Sequence, residues 1–254
     1  MFLIILKNMS SSGRHYNLSE WMGETRLLYL LPRKLSLKIL EELLLPIPNV
    51  KVVDGDSLEW DKNEIENFIR ENSPCILSTH SLKPEKTTKC HCFLDICSYS
   101  DFVEKIQSID GIENYEIILS ETIRGVEDGY VGIAISGEGL LLTEYYVEEN
   151  CEEINKLTDG SDPSRLDHLF IRDSTIKYLP NRVPSRDVEK LVKYVYGKRG
   201  YFEFIKGRGH KGVDIYFIDF QDDDSMLHLK EIRDIKFPSK REMHIPLEWY
   251  LQYL

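Results

Sequence analysis

The sequence predicts a mixed α/β protein of the α+β kind, in which helices pack beside short strands. Segments with the two-residue apolar period of strands alternate along the chain with segments that have helical spacing. The 254 residues are 42% hydrophobic and 11% aromatic, which is typical of a globular protein with a substantial core.

Charge and cysteine content narrow the class of protein further. The net charge of −11 disfavours an extended nucleic-acid surface, because phosphate contacts need a basic face. No apolar run approaches the roughly 18 residues needed to cross a bilayer, so we expect no membrane partner. Five cysteines, an odd number, favour a reducing compartment over a disulfide framework. We therefore expect a cytoplasmic protein.

The first 72 residues predict a small N-terminal α/β region. The helix expected within residues 21–45 contains LSLKILEELLL, in which Leu37, Leu40 and Leu44 share one face until Pro46 ends it. The other elements expected here are a strand at 2–6, a strand running into a turn at 50–56, and a helix at 61–72 with Asp61 as its N-cap.

Residues 73–120 predict a compact unit with a loop placed to cover a ligand. Its expected elements are a strand at 74–81, a cationic loop at 81–89, a strand at 90–96, a helix at 101–109 and a strand that starts at 115.

Residues 121–254 predict a larger region that ends in a polar, aromatic tail. We expect a hairpin over 129–149 with Gly137 at its turn, irregular structure over 150–185, a helix at 186–196 closed by Gly197 and a hairpin at 200–222, followed by the segment LHLKEIRDIKF at 227–237. The irregular segment is predicted from its prolines and its many Asp and Ser residues.

Two carboxylates in apolar strands are the most informative feature. Glu203 and Asp219 lie on the two arms of the predicted hairpin. Side by side at 4 Å they would repel by roughly 4 kcal/mol at an effective dielectric near 20. A divalent cation removes that cost, and Gln221 points the same way as Asp219 because the strand period is two. The alternative is an edge hairpin on which both carboxylates face solvent.

A second feature is the cationic loop. Lys83, Lys86 and Lys89, with two threonines between them, provide positive charges and donors that suit phosphates. The alternative is a solvated, charged turn.

The order of these features resembles the ATP-grasp superfamily, including the nucleotide-binding half of phosphoenolpyruvate synthase-like enzymes. The segment from Glu121 to Glu127, ETIRGVE, is similar to the family's hinge signature E-x-I-x-G-x-E. Glu203 resembles the first metal ligand, and Asp219 with Gln221 resembles the acid-x-Asn motif. The resemblance covers residues 73–236, about two-thirds of the chain.

The resemblance implies a two-lobed body and an ATP- and Mg²⁺-dependent ligase or phosphotransferase acting on an acidic small molecule. ATP would lie between the lobes, with its adenine near residues 116–122 and its phosphates under the loop at 83–89. Glu121 and Glu127 would belong to the nucleotide site, and Glu203, Asp219 and Gln221 would hold Mg²⁺. Among basic residues, Arg172, Arg208 and His210 are the candidates to hold the acceptor, the last two as catalytic residues.

The sequence also departs from the family pattern. The loop at 81–89 has no glycine, which backbone approach to phosphates needs, and Asp and Gln replace Glu and Asn. These departures favour an alternative function, a non-catalytic scaffold or regulator that binds a partner through the aromatic residues Trp249, Tyr250 and Tyr253.

Three further signals suggest a chemical role, and each has an argument against it or an ordinary alternative. Cys90-His91-Cys92 suggests zinc, but ribbons and knuckles use Cys-x2-Cys spacing, which favours buried or bystander thiols. The turn KGRGHKG at 206–212 either grips a phosphate or is an ordinary hairpin tip. Glu203 and Lys206 with Asp219 faintly resemble acidic nuclease sites, which the negative net charge disfavours.

Overall fold

The computed structural model describes residues 31–54, 62–82, 91–147, 166–222 and 241–252. The helices are α1 (Arg33–Glu42), α2 (Lys62–Asn72), α3 (Tyr99–Gln107), α4 (Ser185–Val195) and α5 (Leu247–Gln252). The strands are β1 (Val50–Asp54), β2 (Cys75–Ser81), β3 (Cys92–Ile96), β4 (Tyr115–Glu121), β5 (Tyr130–Gly137), β6 (Leu140–Val147), β7 (Leu166–Arg172), β8 (Thr175–Tyr178), β9 (Gly200–Gly209), β10 (Gly212–Gln221) and β11 (Ile245–Pro246). Helices and antiparallel strands are mixed, as the sequence predicts.

The chain divides into two compact units. The first unit comprises Arg26–Gly129 and Phe202–Gln221, and the second comprises Tyr130–Tyr201 with the two chain ends. In the first unit, a four-stranded antiparallel sheet has the order β1-β4-β2-β3. Ile117 and Leu119 on β4 join a buried core with Phe102 and Ile106 of α3. That core exists because α2 and α3 each carry apolar residues three and four positions apart.

The first unit also contains the hairpin of β9 and β10, against which α1 packs. Leu37 and Leu40 are buried on the inner face of α1, as the sequence predicts. Leu44 is different: it follows the helix end with φ of +56° and is 88% exposed. The helix ends at Glu42, so Leu44 lies beyond the turn that would have carried it onto the apolar face.

The second unit contains antiparallel strands in the order β5-β6-β7-β8-β11. The β5–β6 hairpin turns at Glu138 and Gly139, whose φ angles of +51° and +74° suit a two-residue turn. The apolar face of α4 is buried in this unit, including Leu191 and Val195.

Two expectations change. Residues 150–185 are not irregular throughout, because β7 and β8 lie within them. The predicted boundary at residue 72 does not separate two sheets, since β1 pairs with β4 along its whole length. The strand expected at 2–6 and the segment LHLKEIRDIKF at 227–237 lie outside the described residues. None of the helices in the described ranges is long and apolar enough to cross a membrane.

Candidate functional site

Asp219 lies in β10 of the first unit and is 5% exposed. Its Oδ1 atom accepts hydrogen bonds from the Ser36 hydroxyl and the Phe220 amide, each at 2.8 Å. The guanidinium of Arg33 lies 2.8 Å from the same oxygen. The buried carboxylate therefore has both a counter-charge and hydrogen-bond donors, which is what burial of a charge requires.

Two other polar side chains engage the segment at the start of α1. Gln221, 1% exposed, accepts a hydrogen bond at its Oε1 from the Leu31 amide at 2.8 Å. Glu116 of β4, 3% exposed, accepts one at its Oε2 from the Lys34 amide at 2.9 Å. Pro32 at the N-cap position offers no side-chain cap, so the Glu116 carboxylate from a distant strand accepts the hydrogen bond of a first-turn amide instead.

Sequence reasoning did not single out Glu116, Arg33 or Ser36 as part of this cluster. The signal was present for Glu116, a charged residue inside the apolar strand YEIILSE. For Arg33 and Ser36 no local signal exists, because their partner Asp219 is more than 180 residues away in the chain.

Glu203, Asp219 and Gln221 were predicted to hold Mg²⁺, an ion that needs about six oxygen ligands in octahedral geometry. In this arrangement Asp219 Oδ1 already takes bonds from Arg33, Ser36 and Phe220, and Gln221 Oε1 takes one from Leu31. Glu203 lies on β9 and is partly buried. Within the described ranges, no three His, Cys, Asp or Glu side chains are grouped to hold a metal. These donors do not fit Mg²⁺ as they stand, and the metal assignment stays a prediction.

Glu121, the first acid of the hinge-like segment, connects three parts of the first unit. Its Oε1 accepts a hydrogen bond from the His210 amide at 2.9 Å, and its Oε2 lies 2.8 Å from Nδ1 of the same histidine. The Asn49 amide donates to Oε2 at 3.2 Å. Glu121 thus ties the end of β4 to the hairpin tip and to the residue before β1. Glu127, the second acid, is exposed.

The glycines of the hairpin tip have a packing role. A Cβ atom on Gly207 would lie 2.5 Å from the Arg124 carbonyl oxygen, and one on Gly209 would lie 2.3 Å from Glu121 Oε1. Real Cβ contacts are not this short, so only glycine lets the segment after β4 approach β9. This approach forms an antiparallel bridge between Arg124 and Arg208.

The remaining predicted basic residues fall in different places. Lys83, Lys86 and Lys89 lie outside the described residues. Arg208 is exposed and forms the bridge with Arg124, His210 is held by Glu121, and Arg172 ends β7 in the second unit. The structure brings Arg208 and His210 together with Glu121 at one hairpin tip.

The Cys-His-Cys segment is only partly described. The His91 ring stacks on Phe93 at 6.3 Å and meets Tyr115 edge-on at 5.9 Å, while Cys92 is exposed. Cys75, upstream, is fully buried, and burial is the main cause that raises its thiol pKa to about 11. These contacts agree with thiols that pack or face solvent, and Cys90 lies outside the described residues.

Similar solved structures include a RimK-domain ATP-grasp protein of Sphaerobacter thermophilus, at 15% identity, covering 82% of this chain and 65% of that one, with a TM-score of 0.40. D-alanyl-alanine synthetase A of Vibrio cholerae shares 9% identity over 78% of this chain and 59% of its own, with a TM-score of 0.42. Phosphoribosylamine–glycine ligase of Thermotoga maritima shares 13% sequence identity, covering 82% of this chain and 55% of its own, with a TM-score of 0.41.

This chain spans 42–65% of the length of the first three structures found. No protein-family model and no curated protein matches the sequence. The similar solved structures are ATP-grasp proteins, which agrees with the resemblance that the sequence predicts. The described helices and antiparallel strands form an α+β fold, and the similar solved structures resemble it only in this general sense.

Proposed function

We propose that this protein is a non-catalytic binding protein, a regulator or scaffold built on an ATP-grasp-like fold. One observation supports this function: the buried Asp219 carboxylate is bound by Arg33 and Ser36 within the protein itself. The predicted metal site would use Asp219 as a ligand, and its Oδ1 atom does not bind an ion while Arg33 and Ser36 occupy it.

The free-energy cost of replacing Arg33 by a metal ion at Asp219 supports the same conclusion. An ion that replaced Arg33 would have to break a largely buried ion pair and the Ser36 and Phe220 hydrogen bonds. It would also have to free Gln221 from the Leu31 amide. Removing one partner of a buried ion pair costs on the order of 3–5 kcal/mol, less where one partner reaches solvent.

An ATP- and Mg²⁺-dependent ligase or phosphotransferase is the second candidate. The observation that favours it is that Asp219 already binds a positively charged group, the Arg33 guanidinium. The Arg33 side chain is 19% exposed, so it lies at the edge of the buried cluster. If the start of α1 moved away, the acid-x-amide pair of β10 would become accessible to a divalent ion.

Thermal unfolding with ATP separates the two candidates. The full chain is measured with ATP plus Mg²⁺ and with ATP plus EDTA, and ADP release is followed in parallel. For the binding protein we expect no ADP release and no additional stabilisation from Mg²⁺. A ligase with a formed metal site would gain about 2.7 kcal/mol at 100 times its Kd only when Mg²⁺ is present.

The variant Arg33→Gln distinguishes the two candidates further, because it removes the guanidinium that competes with a metal ion and keeps a hydrogen-bond donor. If the wild type turns ATP over in a Mg²⁺-dependent reaction, the non-catalytic proposal is wrong. If Mg²⁺-dependent binding appears only in Arg33→Gln, the carboxylates retain the capacity for metal and Arg33 blocks it in the native protein. Lys38→Gln on the same helix, from an exposed i,i+4 pair, is the matched control.

A further inference from the structure

We propose that Arg124 and Arg208 form a binding site for a phosphate group at the tip of the β9–β10 hairpin. The two residues make an isolated antiparallel bridge. The Arg124 amide donates to the Arg208 carbonyl at 3.0 Å, and the Arg208 amide donates to the Arg124 carbonyl at 2.8 Å. This site goes beyond the proposed function and does not depend on it.

Mutual backbone hydrogen bonds place the two arginines directly opposite each other. In such a pair the Cα atoms are about 5.5 Å apart, and the side chains leave the backbone on the same face. Both residues are exposed. In the part of the chain that the structure describes, neither guanidinium has an ion pair or a side-chain hydrogen bond. Two exposed arginine side chains therefore extend from directly opposite backbone positions.

Two arginines directly opposite each other are not expected from a general distribution of surface charge. Like charges directly opposite across a strand pair are destabilising. The protein has 43 acidic against 32 Lys and Arg residues, so carboxylates to neutralise the pair are plentiful in the chain. The approach of the two segments moreover depends on Gly207, where a Cβ atom would lie 2.5 Å from the Arg124 carbonyl oxygen. The fold brings two like charges together at a sterically restricted position.

The charge and shape of the pair select the ligand class. Two guanidiniums carry a charge of two and present planar pairs of donors, which match a phosphate group bidentately. A phosphate monoester carries about −1.5 to −2 at pH 7, which neutralises both arginines, whereas a single carboxylate neutralises one. Lys211, exposed at the same tip, adds a further positive charge.

Isothermal titration of the full chain tests the site, with inorganic phosphate, pyrophosphate and glycerol phosphate as probes and acetate for comparison. We expect saturable binding of at least one phosphate probe with Kd of about 1 mM or below, and weaker or no binding of acetate. The order among the three probes distinguishes free phosphate from a phosphate ester. No saturable binding of any phosphate probe, or acetate binding as tight as phosphate, overturns the proposal.

Variants separate a built site from general charge attraction. Arg124→Gln and Arg208→Gln should each weaken phosphate binding about tenfold, the loss expected for one charge-assisted pair. Arg186→Gln, the same charge change at a side chain that is 75% exposed on α4, should leave the affinity unchanged. Equal weakening by all three variants would show that net charge, and not the pair, attracts the anion.

Gly207→Ala tests the geometry, since it keeps both arginines and pushes their segments apart. We expect a folded Gly207→Ala protein to lose phosphate affinity to the same extent as Arg208→Gln. Undiminished affinity in the folded variant would contradict the proposal. Circular dichroism checks the fold, and the two arginine variants decide the question if Gly207→Ala does not fold.

Discussion

The Arg33 guanidinium and the Ser36 hydroxyl both belong to the first turn of α1, and both contact the same oxygen of Asp219. Such a carboxylate in a β-strand is expected to need a cation, and a side chain satisfies that need as well as a metal does. Glu116 accepts a hydrogen bond from the Lys34 amide, and Gln221 accepts one from the Leu31 amide. Backbone amides at and just before the start of the helix therefore have hydrogen-bond partners as well.

A double-mutant cycle on Arg33 and Asp219 should show that the two residues act as a pair. Arg33→Leu should lower the free energy of unfolding by about 2 kcal/mol, because it leaves a buried carboxylate without its counter-charge, and the partial exposure of Arg33 reduces the cost. Asp219→Asn should also lower the free energy of unfolding. The double variant should lose at least about 1 kcal/mol less than the sum of the single changes, as measured by urea unfolding.

Lys38→Leu is the control for that cycle. Lys38 forms an exposed i,i+4 pair with Glu42, and such pairs change stability by about 0.5 kcal/mol or less. Additive effects of Arg33→Leu and Asp219→Asn would mean that the ion pair contributes little to the stability of the fold.

At the scale of elements, α3 begins at a side-chain cap. The Ser98 hydroxyl accepts a hydrogen bond from the Asp101 amide at 3.1 Å, and Asp101 Oδ2 accepts one from the Cys97 amide at 3.0 Å. The hydrogen bond from the Cys97 amide is the largest cause that lowers the pKa of Asp101. The sequence Ser98-Tyr99-Ser100-Asp101 has the spacing of a capping box, so the start of this helix is determined locally.

Removal of this cap should weaken the protein measurably. Ser98→Ala should lower the free energy of unfolding by about 1 kcal/mol, the usual cost of losing an N-cap side chain. Because the folded-state pKa of Asp101 is depressed, its contribution is present above its unfolded pKa and is lost as pH falls through the folded value. Asp101→Asn should therefore show a smaller loss of stability on acidification than the wild type.

Ser100→Ala, at an exposed position of the same turn, is the matched control and should be neutral or slightly stabilising. An equal loss in Ser98→Ala and Ser100→Ala, in urea unfolding at neutral pH, would argue against a specific cap.

Most elements were predictable because their signals are local. The helices α1 to α4 have apolar residues three and four positions apart, and the β5–β6 and β9–β10 hairpins have turn glycines between apolar runs. Strand β7 was not predicted, because Asp167 and His168 are adjacent polar residues that interrupt the alternation. Asp167 is tolerated there since its carboxylate accepts hydrogen bonds from the Asn181 and Arg182 amides.

For the whole molecule, net charge is the property that sequence alone determines most directly. At −11 the folded chain repels itself at low ionic strength, and salt screens that repulsion. We expect the free energy of unfolding to rise between about 10 mM and 150 mM sodium chloride, as the Debye length falls from about 30 to 8 Å.

Sodium chloride is the salt for this measurement, because phosphate would also occupy the proposed arginine pair. Stability that falls steadily over the same range would mean that favourable ion pairs, such as Arg33 with Asp219, outweigh the general repulsion.

Most helices and hairpins, the net charge and the resemblance to ATP-grasp proteins follow from the sequence alone, since each depends on neighbouring residues or on simple sums. The partners of the polar side chains were decided only by the tertiary structure. Asp219 binds the first turn of α1, and Glu121 holds His210 at the hairpin tip 89 residues away. A sequence shows that a buried carboxylate needs a positive partner, but the choice between a metal ion and Arg33 depends on which groups the folded chain brings within 3 Å.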